Sequence, residues 1–274
     1  MKKKLLPLLL ASSLAIFSTT GCLSTSSTTS AGNVGADRNQ LMLFTEEEVT
    51  ASAANYYTEV IDEAKQAGTL LADNNATTKR VRAIGNKLIA QTGAFREDAK
   101  NWKWEVNVIK EDTVNAWCMA GGKIVVYTGI IDALKLTDGE LAAVMGHEIS
   151  HALREHSREQ ASRSSLTQLG TSALSQIAGF GTLGTTAVEL VAQYALTLPF
   201  SRSQETEADN IGTELMARAG YDPHEAVKVW EKMSALTQSS TPEILSTHPS
   251  NENRIKNLTV ISEKVYPLYQ ESSK

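Results

Sequence analysis

The chain has 274 residues, of which 42% are hydrophobic and 21% are charged, a composition that supports one sizeable globular core. The formal net charge is −5, and no basic block occurs beyond the extreme N-terminus, which argues against nucleic acid as a partner. The two cysteines, Cys22 and Cys118, are too few to define a disulfide framework.

The N-terminus has the pattern of an export signal. Residues 2–4 are lysines, residues 5–17 are mainly apolar, and small residues lead directly to Cys22. The apolar stretch is too short for a spanning helix. The small residues that lead to Cys22 resemble a bacterial lipobox. This resemblance predicts a lipoprotein signal peptide over residues 1–21 and lipidation of Cys22. Leu23 then resembles the pattern of lipoproteins anchored to the periplasmic face of the outer membrane. The alternative is an ordinary cleaved signal followed by a chance cysteine.

The segment after Cys22 is predicted to be a tether. Residues 23–36 are almost entirely Ser, Thr, Gly and Ala, which cannot form a core. We therefore expect a lipidated cysteine and flexible tether over residues 22–44, a folded domain over residues 45–265 and a C-terminal tail over residues 266–274.

The folded domain is predicted to be mostly helical. Thr45 and Glu48 form a capping box that begins a helix, and Thr137 and Glu140 form a second one. The first helix should run to about residue 71. Others are expected at about residues 77–92, 203–219, 223–237 and 250–264, with Gly220 at a C-cap position.

Two segments have the character of strands. Apolar and polar residues alternate over residues 102–108, and a continuous apolar run follows two glycines at residues 123–127. Together with the helices, they predict an α+β fold with a small sheet.

Residues 164–199 have an unusual composition, with no charge between Arg163 and Glu189. Glutamines, glycines and hydroxyl residues argue against a spanning helix in this segment. We expect a helical hairpin that packs on the domain and can act as a lid, with membrane contact as the alternative.

His147, Glu148 and His151 form an HExxH motif on the helix that follows Thr137. Two histidines four residues apart lie on one helix face, where a single Zn²⁺ ion can bind both. Glu148 can reach a water molecule beside that ion and accept its proton. The motif alone also fits a surface helix with incidental His and Glu.

A second pair of residues fits the remainder of a zinc site. Catalytic zinc takes three protein ligands and keeps one position open. Glu205 and Asp209 share a helix face, so one can bind metal while the other hydrogen-bonds a ligand histidine. Glu207 points away from both. The alternative is a solvated acidic helix start.

Three separated motifs, GHEISHALREH, SRSQETEADNIG and LSTHPSNENRI, occur in this order. Together they resemble metallopeptidase family 48, a gluzincin-type family, including its periplasmic BepA- and LoiP-like and its Oma-type members. The resemblance implies a zincin-like domain, with the small sheet beside the active-site helix. It also implies that Glu205 is the third zinc ligand and that Asp209 supports the site. Residues 115–127 resemble the family's segment that precedes and forms its active-site edge strand.

The other histidines and Cys118 have separate interpretations. His156 lies about half a turn around a continuous helix from His147, so it should not share the metal and is interpreted as structural. His224 is expected at the surface. Cys118 stays a free thiol if Cys22 is acylated, and it is expected to be buried rather than a ligand.

His248 is predicted to reach the zinc site, because its motif matches the family's third segment and Pro249 favours an extended backbone at His248. Arg254 could hold this loop through a carboxylate. His248 could occupy the open zinc position and make the enzyme latent, or it could donate a hydrogen bond to an oxyanion. The alternative is a capping or packing residue.

These observations predict a zinc endopeptidase in which Glu148 and His248 act in catalysis. Extended polypeptide substrates would add to the sheet edge near residues 123–127. By resemblance, the substrates are misfolded or unassembled envelope proteins, and the outer-membrane assembly machinery is a possible partner. A non-catalytic chaperone or assembly factor with the same zinc fold is the alternative function.

Overall fold

The fold is mostly helical with two small sheets, as the computed structural model shows for residues 24–177, 198–236, 242–249 and 252–272. The helices are α1 (Glu46–Gln66), α2 (Ala76–Ile89), α3 (Thr128–Leu134), α4 (Asp138–Leu153), α5 (His156–Ile177), α6 (Arg202–Arg218), α7 (Glu225–Leu236), α8 (Ile244–Thr247) and α9 (Glu252–Ser272). The strands are β1 (Ser24–Ser26), β2 (Gln40–Met42), β3 (Glu105–Ile109), β4 (Ala116–Met119) and β5 (Lys123–Tyr127). The predicted α+β class is confirmed.

Both predicted capping boxes begin helices. Thr45 accepts a hydrogen bond from the backbone N–H of Glu48 and caps α1, and Thr137 caps α4 in the same way. Helix α1 is shorter than predicted, since Gly68 adopts a φ of +70° just after it. The strand predicted from residue 102 begins at residue 105, because residues 97–101 form a 3₁₀ turn.

The main sheet has the strand order β3-β5-β4. Strand β5 pairs parallel with β3 and antiparallel with β4. Residues 123–127 therefore lie at the centre of this sheet, so the substrate-binding edge predicted near residues 123–127 cannot be β5 itself. A tight turn at Gly121 and Gly122 places β5 alongside β4. Strand β4 forms one edge of the sheet, and this edge lies next to α4.

Helix α4 is buried on every side from Glu140 to Leu153, because sheet and helices surround it. It crosses α6 at a pair of glycines. A Cβ atom on Gly212 would lie 2.7 Å from the backbone nitrogen of His147, and one on Gly146 would lie 2.9 Å from the oxygen of Gly212. Only glycines permit this approach, and it brings the acidic residues of α6 up to the histidines of α4.

The segment before α1 is folded, so the predicted flexible tether over residues 22–44 is wrong for residues 24–44. Strands β1 and β2 pair antiparallel, and Val34, Ala36 and Met42 are buried. The backbone N–H of Asn33 donates to Glu214 on α6 at 2.8 Å. Polar contacts, which composition does not reveal, hold this segment in place.

The C-terminal boundary also differs from prediction. Helix α9 continues to Ser272, whose hydroxyl donates to the backbone oxygen of Ala217 on α6 at 2.9 Å. The expected tail over residues 266–274 is therefore helical through Ser272. Gly220 adopts a φ of +81° after α6, as expected for a C-cap glycine.

Several predictions fall on parts of the chain outside the described residues. They include the signal peptide over residues 1–21, Cys22, and most of the hairpin predicted over residues 164–199, of which α5 covers the beginning. Across the described helices, none has both the length and the apolar character that crossing a membrane requires.

Candidate metal centre

His147 and His151 meet on the buried face of α4. Their Nε2 atoms lie 3.1 Å apart, and both side chains are buried. The i and i+4 positions on one helix produce this convergence, as the sequence predicts. Burial holds the pKa of His151 well below its usual value, so its ring is neutral at pH 7 and keeps a lone pair for a ligand.

Glu205 approaches the same point from the first turn of α6, which Ser201 caps. Its Oε1 lies 3.4 Å from His151 Nε2, and its Oε2 lies 3.6 Å from His147 Nε2. Burial opposes ionisation of Glu205, but the charges of His248 and Arg254 outweigh it and hold the pKa of Glu205 well below its usual range. The carboxylate is therefore ionised, which a metal ligand requires.

His248 completes the cluster from the loop after α8. Its Nδ1 lies 3.1 Å from His147 Nε2 and 3.0 Å from Glu205 Oε1. The backbone N–H of His248 donates to Ile244, and the N–H of Phe200 donates to Thr247, so the loop is held on both sides. The structure thus brings His248 to the predicted ligands rather than leaving it as a cap at the surface.

The four side chains have the donor atoms and spacing of a tetrahedral metal site. One donor atom from each of His147, His151, Glu205 and His248 lies within 4.8 Å of the others. Zinc–ligand bonds of about 2.0–2.1 Å place tetrahedral donors roughly 3.3 Å apart. The contacts of 3.0–3.6 Å found here fit that value.

The protonation state of His248 depends on the same neighbours. Burial lowers its pKa, but the charges of Glu148 and Glu205 outweigh burial and raise that pKa above its usual value. A divalent cation among these donors acts in the opposite direction and favours the neutral ring.

Glu148 lies beside the cluster without belonging to it. It is buried, and its Oε1 accepts no hydrogen bond from the described residues, although His248 Nε2 lies 3.4 Å away. Burial raises the pKa of Glu148 above its usual value, while His248 and His147 partly oppose the rise. A buried carboxylate oxygen without a partner is costly unless it serves a reacting molecule, so the position fits a general base.

Asp209 and Arg254 support the cluster from behind. Asp209 Oδ1 lies 3.0 Å from His147 Nδ1, so the predicted contact with a ligand histidine is present. Arg254 donates to both oxygens of Asp209, at 2.6 and 2.8 Å, and also contacts Glu205. Its guanidinium lies 3.4 Å from the centre of the Trp230 ring. Arg254 therefore ties the start of α9 to the metal-binding residues through the carboxylates of Asp209 and Glu205.

His156 is closer to the site than the sequence suggests. The helix is not continuous, because the chain turns at Glu155, with a φ of +50°, before α5 begins. His156 Nδ1 consequently lies 2.9 Å from His151 Nδ1, and its Nε2 lies 3.0 Å from Glu207 Oε2. Sequence reasoning missed this contact. The φ of a non-glycine residue is not readable from one sequence.

A small pocket opens onto Glu148, His151 and His248, and β4 forms one wall. Cys118, in β4, is buried there and is a free cysteine. Burial raises the pKa of its thiol well above the usual value. Cys118 is buried, as expected, and it is not among the described residues whose donor atoms converge on the candidate metal position. His224 lies apart from the site, half-buried, and contacts Asp222 and Glu263.

The sequence matches a protein-family model and several known proteins. Residues 75–262 match the model of Peptidase family M48. The chain is 40% identical over 170 residues to the mitochondrial metalloendopeptidase OMA1 of Arabidopsis thaliana, covering 61% of this chain and 34% of that protein. It is 35% identical over 208 residues to the OMA1 of Schizosaccharomyces pombe, covering 75% of this chain and 58% of that protein.

A bacterial relative is also similar. The beta-barrel assembly-enhancing protease of Yersinia pestis is 30% identical over 193 residues, covering 65% of this chain and 37% of that protein. The chain thus spans about one third to three fifths of the length of these three curated relatives.

Proposed function

The chain belongs to peptidase family M48, and from this membership we propose that it is a zinc endopeptidase that hydrolyses internal peptide bonds of polypeptides. One observation carries the proposal. Four donor atoms suited to zinc converge beside a buried carboxylate, Glu148, whose Oε1 has no hydrogen-bond partner in the part of the chain that the structure describes. Ligands, base and pocket lie together, which is the arrangement that hydrolysis of a peptide bond needs.

His147, His151 and Glu205 would hold the zinc ion. When bound, zinc polarises a substrate carbonyl and lowers the pKa of water. Glu148 accepts a proton from the attacking water and then delivers it to the leaving amine. Burial, which raises the pKa of Glu148, makes its carboxylate a stronger base for the first step.

The substrate would bind as an added strand along β4. This strand pairs with β5 on one side, and no described strand pairs with its other side. The backbone oxygen of Asn115 accepts a hydrogen bond from the N–H of Tyr127 in β5, and that of Met119 accepts one from the N–H of Gly122 in the turn. Antiparallel alternation then directs the backbone N–H and C=O of Cys118 towards the open side. An extended peptide paired there would pass the pocket that contains Glu148.

His248 would keep the enzyme latent in this conformation. Catalytic zinc sites keep one coordination position open. His248 Nδ1 lies 3.0 Å from Glu205 and 3.1 Å from His147, within the donor set rather than beside it. These distances favour the blocking role over the oxyanion-donor role. Release of the loop after α8 would then open the position.

A cleavage assay tests the function and the role of His248 together. Purified wild type, Glu148→Gln and His248→Ala would be incubated with zinc and unfolded protein, and new peptide termini identified by mass spectrometry. Glu148→Gln should cleave at least about 100-fold more slowly while retaining zinc. His248→Ala should cleave faster than wild type.

The results of this assay distinguish the proposed function from its alternatives. Equal cleavage by wild type and Glu148→Gln would contradict the peptidase proposal. Absence of cleavage by all three folded, zinc-loaded proteins would support a non-catalytic assembly factor. A slower His248→Ala would favour oxyanion stabilisation, and an unchanged rate would remove both roles for His248.

The location and substrates rest on the N-terminal motif and on one relative. Lys2, the apolar stretch and Cys22 support lipid anchoring at the periplasmic face of the outer membrane. The name of the Yersinia pestis relative refers to beta-barrel assembly, which suggests misfolded or unassembled envelope proteins as substrates. A Cys22→Ser variant should move from the membrane to the soluble fraction, and its retention in the membrane would contradict lipidation.

A further inference from the structure

A chain of contacts extends from the metal ligand His151 away from the pocket. His151 Nδ1 lies 2.9 Å from His156 Nδ1, and His156 Nε2 lies 3.0 Å from Glu207 Oε2. His151 and His156 are almost fully buried, and Glu207 is 9% exposed. The proposed hydrolysis uses neither His156 nor Glu207, so their position against a ligand calls for a separate explanation.

The two contacts allow only one arrangement of protons when His151 binds metal. A metal on Nε2 of His151 leaves the ring proton on its Nδ1. His156 Nδ1 must then accept that proton's hydrogen bond, so the proton of His156 lies on Nε2. There it faces the Glu207 carboxylate, which can only accept. Each donor in this series of contacts, from His151 through His156 to Glu207, thus faces an acceptor.

The other histidine of the motif, His147, contacts a carboxylate directly, because Asp209 lies 3.0 Å from its Nδ1. Carboxylates that accept from a ligand histidine fix its ring and raise its basicity towards the metal. Glu207 stands in the corresponding position for His151, with the His156 ring interposed between them.

Glu207 is itself held by two arginines. Arg154, which is fully buried, donates to it at 3.1 Å, and Arg38 donates at 2.6 Å. Arg38 belongs to the segment between β1 and β2, which also contacts Arg154 through Ser27 and Thr29. The N-terminal segment therefore reaches the ligand histidine through a continuous series of polar contacts.

We propose that His156 and Glu207 are positioning residues for the metal ligand His151, and that Arg38 of the N-terminal segment supports them. This inference rests on the proposed zinc site. His156 and Glu207 touch no reacting atom. They hold the His151 ring with its Nε2 lone pair directed at the zinc position, and the charge of Glu207 strengthens that donor.

Zinc affinity, measured by competition with a chelator, tests the proposal. His156→Phe keeps a buried ring but removes both ring nitrogens, and Glu207→Gln keeps the shape but removes the charge. Both should weaken zinc binding by about 10-fold to 100-fold, the usual effect of removing a partner of a ligand histidine. Arg38→Met, one contact further away, should weaken it less.

Glu159→Gln is the matched control. Glu159 is 1% exposed and accepts hydrogen bonds from Arg38, Gln40 and Gln204 in the same buried cluster. Its side chain does not touch the ring of His156 in the described contacts. It should lower the free energy of unfolding and leave zinc affinity within about twofold of wild type. Zinc binding by folded His156→Phe equal to wild type would overturn the proposal, as would an equal loss in Glu159→Gln.

A measurement on the wild type keeps the proposal testable if the variants do not fold. Nuclear magnetic resonance of the zinc-loaded protein with ¹⁵N-labelled histidines should show a scalar coupling between Nδ1 of His151 and Nδ1 of His156. Absence of this coupling would contradict the proposed hydrogen bond from His151 to His156. A wild-type protein that binds no zinc would instead contradict the proposed function, so the two failures are distinguishable.

Discussion

The two sides of His151 differ in how their polar atoms are satisfied. On the pocket side, Glu148 is buried with an oxygen that accepts no hydrogen bond from any described residue, and several ring nitrogens face one another. On the opposite side, His156, Glu207 and Arg154 are also buried, but each has a well-placed partner.

This difference separates the part of the cluster that reacts from the part that supports it. Burying a polar atom without a partner costs stability, and a fold tolerates it where a ligand or substrate supplies the missing interaction. A fully paired network instead fixes geometry. Changes on the pocket side should therefore remove function more than stability, whereas changes on the opposite side should lower stability and, where they touch His156 or Glu207, zinc affinity as well.

The largest effect is expected at the crossing of α4 and α6, where Gly146 and Gly212 meet, because both sides of His151 share this crossing. Gly212→Val would place side-chain atoms against the backbone of His147 and Gly146, where even a Cβ would be 2.7–2.8 Å away. Because backbone cannot move aside cheaply, we expect a loss of about 3 kcal/mol or more in unfolding free energy, together with weaker zinc binding. Urea unfolding and zinc titration would measure both.

Gly139→Ala provides the control for this change. It lies in the first turn of the same helix, α4, and the three atoms nearest to its new Cβ all belong to the side chain of Glu225 rather than to backbone. It should keep zinc affinity and most of the stability. A Gly212→Val protein as stable as Gly139→Ala would show that the close crossing does not hold the site together.

A smaller effect, in stability alone, is expected from Glu159. Burial raises the pKa of Glu159, but hydrogen bonds from Arg38, Arg163 and Gln40 outweigh it and lower the pKa from 4.5 to about 2. Because the folded-state pKa is the lower one, Glu159 contributes stability above pH 4.5, which is lost as pH falls towards 2. The contribution is at most about 3 kcal/mol.

Unfolding of zinc-free wild type and Glu159→Gln at a series of pH values would check this contribution. The stability difference between them should be largest near pH 6 and should shrink below pH 4.5. Glu47→Gln, at an exposed position of α1, should track wild type throughout. A difference that does not change with pH would mean that Glu159 acts by packing rather than by its charge.

The sequence predicted the pocket side better than the supporting side, for a physical reason. The HExxH spacing and the pair Glu205 and Asp209 depend on helix geometry alone, so residues four apart reveal a shared face. The positions of His156 and of residues 24–42 depend on a left-handed turn at Glu155 and on long-range polar contacts. Neither leaves a periodic pattern, and the low hydrophobicity of the N-terminal segment indicated a tether instead.

The sheet illustrates the same limit. The strand at residues 123–127 was recognisable from its apolar run, and its central place was not, because pairing partners are distant in sequence. The edge that faces the pocket is β4, a strand that alternation does not single out. His248 was found because its surrounding motif resembles the family, and the family resemblance, rather than periodicity, supplied that signal.

Zinc binding by Glu205→Gln tests the central claim, that His147, His151 and Glu205 hold one zinc ion, most directly. Glu214→Gln is the matched control, since Glu214 is buried in the same helix and contacts Asn33 and Arg218 instead. Wild type and Glu214→Gln should each bind about one zinc ion per chain, whereas Glu205→Gln should lose most of it at the same free zinc concentration. Equal zinc content in Glu205→Gln and Glu214→Gln, with both folded, would contradict the account.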